Sequence, residues 1–484
     1  VTRLHRPVII LLITLLCLAG TPVSASQPAT ETRLMLSHRA RFTAEIPADW
    51  GIDRAQNAEY ISPEGTGYIV TTTYPASLDS LTAACRSAAP VFDATDDPDQ
   101  AITWTTFAGD DACRLESPEA TGEDREPIGL IFRHPNPLRS SIDDGDYFTY
   151  AGIMVDRAHF EAITSSMNFT LDDVTPELYV ESALDIIEGH AYLRDEVDWE
   201  TVRADALASA ADGDTMAGID VALEALEAVG DGHSYRWDAT QLDSFNDTDA
   251  SDIPATQLPT GLAFNDQVNY INLPPIQGDE SVSTLYATAG NQVIAEIDTA
   301  STCGWIIDLR TNFGGISDPM IAAVGEILGE GNFGGFAYSD DTVTMETYED
   351  GSVFPTGNEP GAPLIEGEIY TIANPDAAVA ILIGPVTGSA AEYTAIAFIG
   401  RPQTQIFGEP SADLTTGISG YILADGAAIG LATSAMIDRN GTTYPDGIQP
   451  DTWVEYETAS IMDPADPVAS AATDWLLAQP ACQA

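Results

Sequence analysis

Lysine is absent from this 484-residue chain, so all 18 of its cationic residues are arginine. A lysine general base is therefore excluded anywhere in the molecule. Against those 18 cations stand 75 aspartates and glutamates, for a formal net charge of -57. A surface this anionic repels nucleic acid and acidic membranes, which removes both as partners. The acid is spread over the whole chain, the pattern of a surface kept hydrated in a salty medium that screens self-repulsion. Attraction of cationic substrates is the other reading. Histidine is scarce as well: only His190 and His233 fall within residues 171–484. The five cysteines show no close Cys-Cys or Cys-His spacing, so no metal centre and no cofactor are implied. Beyond residue 20 no apolar run is long enough to cross a bilayer. No solenoid repeat or low-complexity tract is found.

What is present begins with an export signal. Arg3 and Arg6 precede an apolar run over 8–20, and Val23-Ser24-Ala25 offers small residues for cleavage after Ala25. Residues 1–25 are thus expected to be a signal peptide. The mature protein should be soluble and secreted, periplasmic or otherwise extracytoplasmic. Cys17 lies inside the apolar run without a lipobox-like context. Its removal leaves Cys85, Cys113, Cys303 and Cys482, an even number that suggests disulfides in an exported chain. Three pairings are formally open, and reduced core cysteines are the alternative. The preferred set joins Cys85 to Cys113 and Cys303 to Cys482, each within one expected domain.

With 44% hydrophobic residues the chain can build large cores, and its length calls for two or three domains. Residues 26–170 read as a small accessory α+β domain, with strand-like pieces at 40–46, 67–73 and 147–155. Helix-like segments follow Ser77 and end near Met167. Residues 175–237 read as a leading helical segment. Leu178, Ala183, Ile186 and Ile187 are at helical spacing over 177–193. A second helix over 215–229 has Asp214 or Thr215 as N-cap and Gly230 as stop. The Gly/Pro/Asp-rich stretch 237–260 reads as irregular. Residues 238–484 then alternate buried-strand candidates, at 268–272, 303–310, 368–373 and 378–384, with helices at 281–298, 319–328 and 390–399. That alternation predicts a layered α/β core.

Three pieces of this core region carry chemistry. The run 378–400 is an apolar strand ending at Gly384-Pro385, after which Ser389 opens an apolar helix closed by Gly400. A serine there meets the positive pole of a helix, and the N–H of Ala390 can donate to an oxyanion. Taken alone, Ser389 or Thr387 reads rather as a plain N-cap. The second piece, 303–315, is an apolar strand running into Arg310, Asn312 and the pair Gly314-Gly315. Such a pair permits close backbone approach and can point an N–H into a cleft, or else makes a simple tight turn. The third is Gly230-Asp231-Gly232-His233-Ser234, directly after the helix of 215–229. A helix C-terminus supports a protonated imidazole, which a general base becomes during reaction. His233 also reads as an ordinary turn histidine, and His190 as a structural one.

Together these pieces resemble the serine peptidases of the C-terminal-processing (tail-specific) and tricorn-core family. The shared motifs are Asp308-Leu309-Arg310-Thr311-Asn312-Phe313-Gly314-Gly315, Ser389-Ala390-Ala391-Glu392, Gly408-Glu409-Pro410-Ser411 and Gly447-Ile448-Gln449-Pro450-Asp451. The resemblance covers about residues 175–455 and implies a ClpP/crotonase-like β-β-α core with a leading helical segment. It also implies a serine-type peptidase (a hydrolase, active in proteolysis) acting on peptide or unfolded-protein substrates. Ser389 becomes the nucleophile, with the N–H groups of Ala390 and of the Gly314-Gly315 turn as oxyanion hole. Tail-processing members carry a lysine base just beyond the third motif; here that position is Leu414. His233 is therefore expected to act as base, as in the tricorn-like branch. The family's acid position falls at Tyr444, and Asp446 two residues on is the first choice for orienting His233. Ser234 is a candidate relay, with Asp231 and Glu392 placed behind. About 75 residues separate Ser234 from Arg310, so no PDZ module is expected. The competing functions are a non-catalytic ligand- or peptide-binding protein on the same fold and an acyl-CoA enzyme of crotonase type.

Overall fold

The structure is a computed structural model. It describes residues 31–483 except for 53–59, 64–66, 76–79, 96, 119–126, 140–146, 247, 359, 457, 459–460 and 462–465. The expected signal peptide and Cys17 lie outside the described residues. The chain divides into two compact units. One contains residues 244–418 and 432–484; the other contains the described residues up to 243 together with 419–431.

In the first unit the central sheet runs Thr260–Ala263, Val268–Asn272, Gly304–Asp308, Ala378–Ile383, Thr404–Gly408 and Thr452–Trp453. All neighbours after the first antiparallel pair are parallel. Parallel strands are covered on both faces, which is why 304–308 and 378–383 are buried at every residue and read as unbroken apolar runs. One face sets Ile271, Ile307 and Ile381 against the helices Glu280–Ile297, Ser317–Ala323 and Ala390–Phe398. The opposite face sets Tyr270, Ile306, Ala380 and Phe407 against Val468, Ala472 and Leu476 of the helix Pro467–Leu477. The Cys303–Cys482 disulfide joins the start of a central strand to the chain end beyond that helix.

A buried ion triad fastens the other end of the same helix. Arg310 donates to Asp308 and, from Nη1 at 3.0 Å, to Asp466, the N-cap of Pro467–Leu477. Asp308 also accepts from the Tyr270 hydroxyl at 2.6 Å, and the Tyr456 ring lies 4.9 Å from the guanidinium carbon. Arg310 is 1% exposed and Asp308 0%, so removing the cation strands two carboxylates in the core. Arg310→Met should cost about 3–5 kcal/mol in urea unfolding. A loss below about 1 kcal/mol would mean that the carboxylates find other partners.

Two core segments differ from the expectation. Residues 368–373 form no strand. Ile369, Tyr370 and Ile372 pack on the core, but the Tyr370 and Ala373 N–H groups donate to Asn291 Oδ1 (3.2 Å) and Asp298 Oδ2 (2.6 Å). Helix side chains take the bonds that a neighbouring strand would have taken. The helix expected over 319–328 is two, Ser317–Ala323 and Gly325–Leu328, broken at Val324.

The second unit holds a seven-stranded antiparallel sheet in the order Gly51–Ile52, Tyr60–Ile61, Tyr68–Pro75, Tyr147–Asp156, Pro127–Arg139, Asp110–Leu115, Ile102–Phe107. The helix Leu81–Ala88, capped by Ser80, is joined to this sheet by the Cys85–Cys113 disulfide. Both preferred disulfides are thus present. The same unit contains the helices Pro176–His190, Trp199–Ser209 and Thr215–Ala228, the middle one not foreseen. The helix Ala239–Asn246 lies inside the stretch read as irregular. Asp214 caps the third helix through Ala217 N–H at 3.1 Å. Leu423, Ala424, Ala427, Ile429 and Leu431, distant in sequence, complete the helical cluster.

Candidate active site

The carboxyl ends of adjacent parallel strands are where open α/β sheets present ligands. Here 304–308 and 378–383 end side by side, with Asp308 opposite Leu382. The two turns that leave them are bonded together. The Thr387 hydroxyl donates to Leu309 O (2.9 Å) and accepts Gly384 N–H (3.0 Å), while Gly388 N–H donates to Asn312 O (3.2 Å). Ser389 closes the second turn at φ 54°, ψ -121°, in the left-handed region that L-residues avoid at a cost of about 1–3 kcal/mol. It is half-buried and opens the helix Ala390–Phe398, whose nine residues are all buried. An all-buried helix explains the apolar run that follows the serine.

Gly314 and Gly315 have φ of 115° and 122°, and both need to be glycine. A Cβ on Gly314 would stand 2.7 Å from the Cβ of Ser389, and one on Gly315 would run into the Ile276 carbonyl. The glycine pair is therefore packed directly on the serine turn. Asn312, 0% exposed, holds it there: Oδ1 accepts Gly314 N–H (2.9 Å) and Nδ2 donates to Leu273 O (3.0 Å). Among the described residues the N–H groups of Gly315 and Ala390 donate to nothing. Two backbone donors thus remain open on turns that touch Ser389.

Glu392, fully buried one turn into the helix, ties this turn to the 409–415 loop. Its carboxylate accepts N–H bonds from Ser389 (2.8 Å), Leu414 (2.9 Å) and Asp413 (3.1 Å), and an O–H bond from Ser411. Burial is the largest influence and leaves its pKa above the usual carboxylate value, although the donors of Ser411, Ser389, Leu414 and Asp413 pull it back down. Asp446 is exposed in the turn 444–449, where its carbonyl accepts from Gln449 Nε2 at 3.1 Å. Burial and then the charge of Asp446 raise the pKa of Asp413. Leu414 packs beside Gly388, where a Cβ would lie 3.3 Å from its Cδ1.

A second carboxyl, that of Glu346 on the strand Val343–Glu349, is bonded to the same helix. Tyr393 Oη donates to Glu346 at 2.8 Å. Burial first, and the charge of Asp318 second, push Glu346 up to about 7 from the usual 4.5. The folded protein therefore holds this proton more tightly than the unfolded chain does. Its contribution is fully present below about 4.5 and is lost as pH rises toward 7. Glu346→Gln should flatten the stability profile between those values and add on the order of 2 kcal/mol at pH 8. Thermal melts across that range check it, and an unchanged slope contradicts it.

His233 and Ser234 belong to the other unit. The helix Thr215–Ala228 ends in a reversal at Gly230 (φ 110°), where Asp231 N–H donates to Leu226 O at 3.0 Å. Asp231, 6% exposed, accepts the N–H groups of His233 and Ser234, both at 3.0 Å, and the Ser234 hydroxyl. The strand Tyr235–Trp237 follows and pairs with Ala428–Gly430. Asp231 thus shapes the turn that carries a half-buried imidazole. Of the expected residues, Ser389, Ala390, Gly314 and Gly315 come together, Asp446 lies on a turn of the same unit, and His233 and Ser234 share a turn in the other.

The parallel sheet thus ends in a serine at positive φ packed on a glycine turn. Residues 267–454 match the model of peptidase family S41. It is 28% identical over 184 residues to the nisin-resistance protein of Lactococcus lactis subsp. lactis, a match covering 37% of this chain and 54% of that relative. The chain thus spans about half the length of that curated relative. A lipoprotein from Streptococcus agalactiae shares the fold, at 23% identity and a TM-score of 0.51, over 64% of this chain and 98% of that one. Among the described residues no helix is long and apolar enough to cross a membrane.

Proposed function

We propose that the protein is an extracytoplasmic serine peptidase that cleaves peptide bonds through an acyl-enzyme on Ser389. The observation that carries this reading is the left-handed Ser389 with two open N–H donors, of Ala390 and Gly315, on mutually bonded turns. Ser389 Oγ attacks the amide carbonyl carbon as His233 takes its proton. The oxyanion is held by Ala390 and Gly315, since the N–H of Gly314 is already given to Asn312. Collapse breaks the C–N bond, and His233 returns the proton to the leaving amine. Water activated by the same imidazole then frees the acid. Asp446 is the acceptor assigned to the second ring nitrogen. Ser234 is less suited to a relay because its hydroxyl is committed to Asp231. The match to a peptidase family supports peptides as the substrate class, and the proposal extends it to unfolded proteins. The two disulfides favour an oxidising compartment, and the apolar residues 8–20 favour export.

A fluorophosphonate probe tests this directly. Folded protein should acquire one covalent adduct, mapped by mass spectrometry to Ser389. No adduct, together with a co-purifying ligand, would replace the peptidase by a binding protein on the same fold.

A further inference from the structure

The carboxylate of Glu392 is 0% exposed and surrounded by donors alone: three backbone N–H groups and one hydroxyl. An ionised carboxylate is acceptor-only and matches such a shell, whereas a side-chain amide would turn an NH2 against it. The donors come from separate stretches of chain. Ser389 N–H belongs to the nucleophile turn; Ser411, Asp413 and Leu414 belong to the following loop. The Ser411 hydroxyl also accepts Ile448 N–H at 2.7 Å, which brings in the turn that carries Asp446. We propose that Glu392 is a positioning residue of this site, and that its ionised carboxylate fixes which backbone N–H groups face the substrate. The proposal rests on the peptidase reading and deepens it.

Two consequences of the geometry make this more than structural support. Bonding to Glu392 holds Ser389 N–H inward, so the first unengaged donor of the helix is that of Ala390, the one assigned to the oxyanion. The same bond helps to offset the strain of Ser389 at φ 54°. Leu414 stands where tail-processing relatives carry their lysine base, and its N–H is held by the same carboxylate. Here that position is given to backbone anchoring and apolar packing beside Gly388. Glu392 reaches the reaction through Ser389 and Ala390 and does not itself touch substrate.

The test compares wild type with Glu392→Gln, Glu392→Asp and Ser411→Ala in the full mature chain. Glu392→Gln should stay folded by circular dichroism and lose about 30-fold or more in the rate of fluorophosphonate labelling. The same fall is expected in kcat for a peptide, with KM changed less than about twofold. Glu392→Asp should recover part of that loss. In a crystal structure of Glu392→Gln, Ser389 should leave the positive-φ region. Labelling within about twofold of wild type, or Ser389 unmoved, overturns the proposal. Should Glu392→Gln fail to fold, Ser411→Ala decides, with a labelling loss of about fivefold expected and none contradicting it. A wild-type protein that is never labelled refutes the peptidase reading instead. In that case the φ of Ser389 in the variant still decides the positioning role.

Discussion

Replacing Ser389 by alanine should abolish peptide turnover, by at least about 10⁴-fold in kcat, with the fold unchanged. The size follows from what the hydroxyl does. In the proposed mechanism it is the atom that bonds to the substrate, so its removal leaves only water attacking a carbonyl that the proposed oxyanion donors still polarise. The fold should survive because what holds the turn is elsewhere: Thr387 to Leu309, Gly388 to Asn312 and Ser389 N–H to Glu392 are all independent of Oγ. Alanine has the same steric aversion to φ 54° as serine, so no new strain is added. Hydrolysis of a labelled casein or a peptide library, with melting curves alongside, measures both halves. Residual activity above about a hundredth of wild type would move the nucleophile elsewhere.

How far this site could be read without coordinates depends on which physical signal each part leaves in the chain. The strands 304–308 and 378–383 were legible because a strand buried on both faces must be apolar throughout, and glycine or proline marks where each stops. The glycine pair was legible as a close approach, and the structure supplies the reason in the Cβ of Ser389. What was not legible is which of the two glycines keeps an open N–H. That depends on the rotamer of Asn312, which no spacing encodes. Glu392 was visible as the fourth residue of its motif but weighed as an acid for His233. Its four donors come from residues up to 22 positions away, so the role exists only after folding. Residues 368–373 misled because their apolar content is genuine burial, while the bonds that would make them a strand go to Asn291 and Asp298. The helix Trp199–Ser209 was missed because only Trp199, Val202 and Ala206 are buried, too thin an apolar stripe to show periodicity.

Replacing His233 by alanine should lower kcat by about two to four orders of magnitude while Ser389 remains in place. A serine hydroxyl needs a base at neutral pH, and composition removes every lysine. His190 stacks on Tyr421, and burial, then the charges of Arg39 and Arg194, push its pKa down to about 4. His38 is likewise driven to about 4 by burial, between Ser182 and the Ala424 N–H. His134 faces the Ala40 carbonyl, and His159 is paired to Asp156. His233 alone stands half-buried on a turn after a helix C-terminus, where an imidazolium is favoured once it has taken a proton. Wild-type kcat/KM should therefore fall on the acid side as the proposed base takes up a proton. In His233→Ala that limb should vanish from whatever rate remains. An alanine variant that keeps both the rate and the acid limb would assign the proton to another group. A variant that loses rate but also loses its melting transition would show that the turn shaped by Asp231, and not the imidazole, had been removed; His233→Gln, which keeps the turn's backbone bonds to Asp231, then supplies the deciding rate.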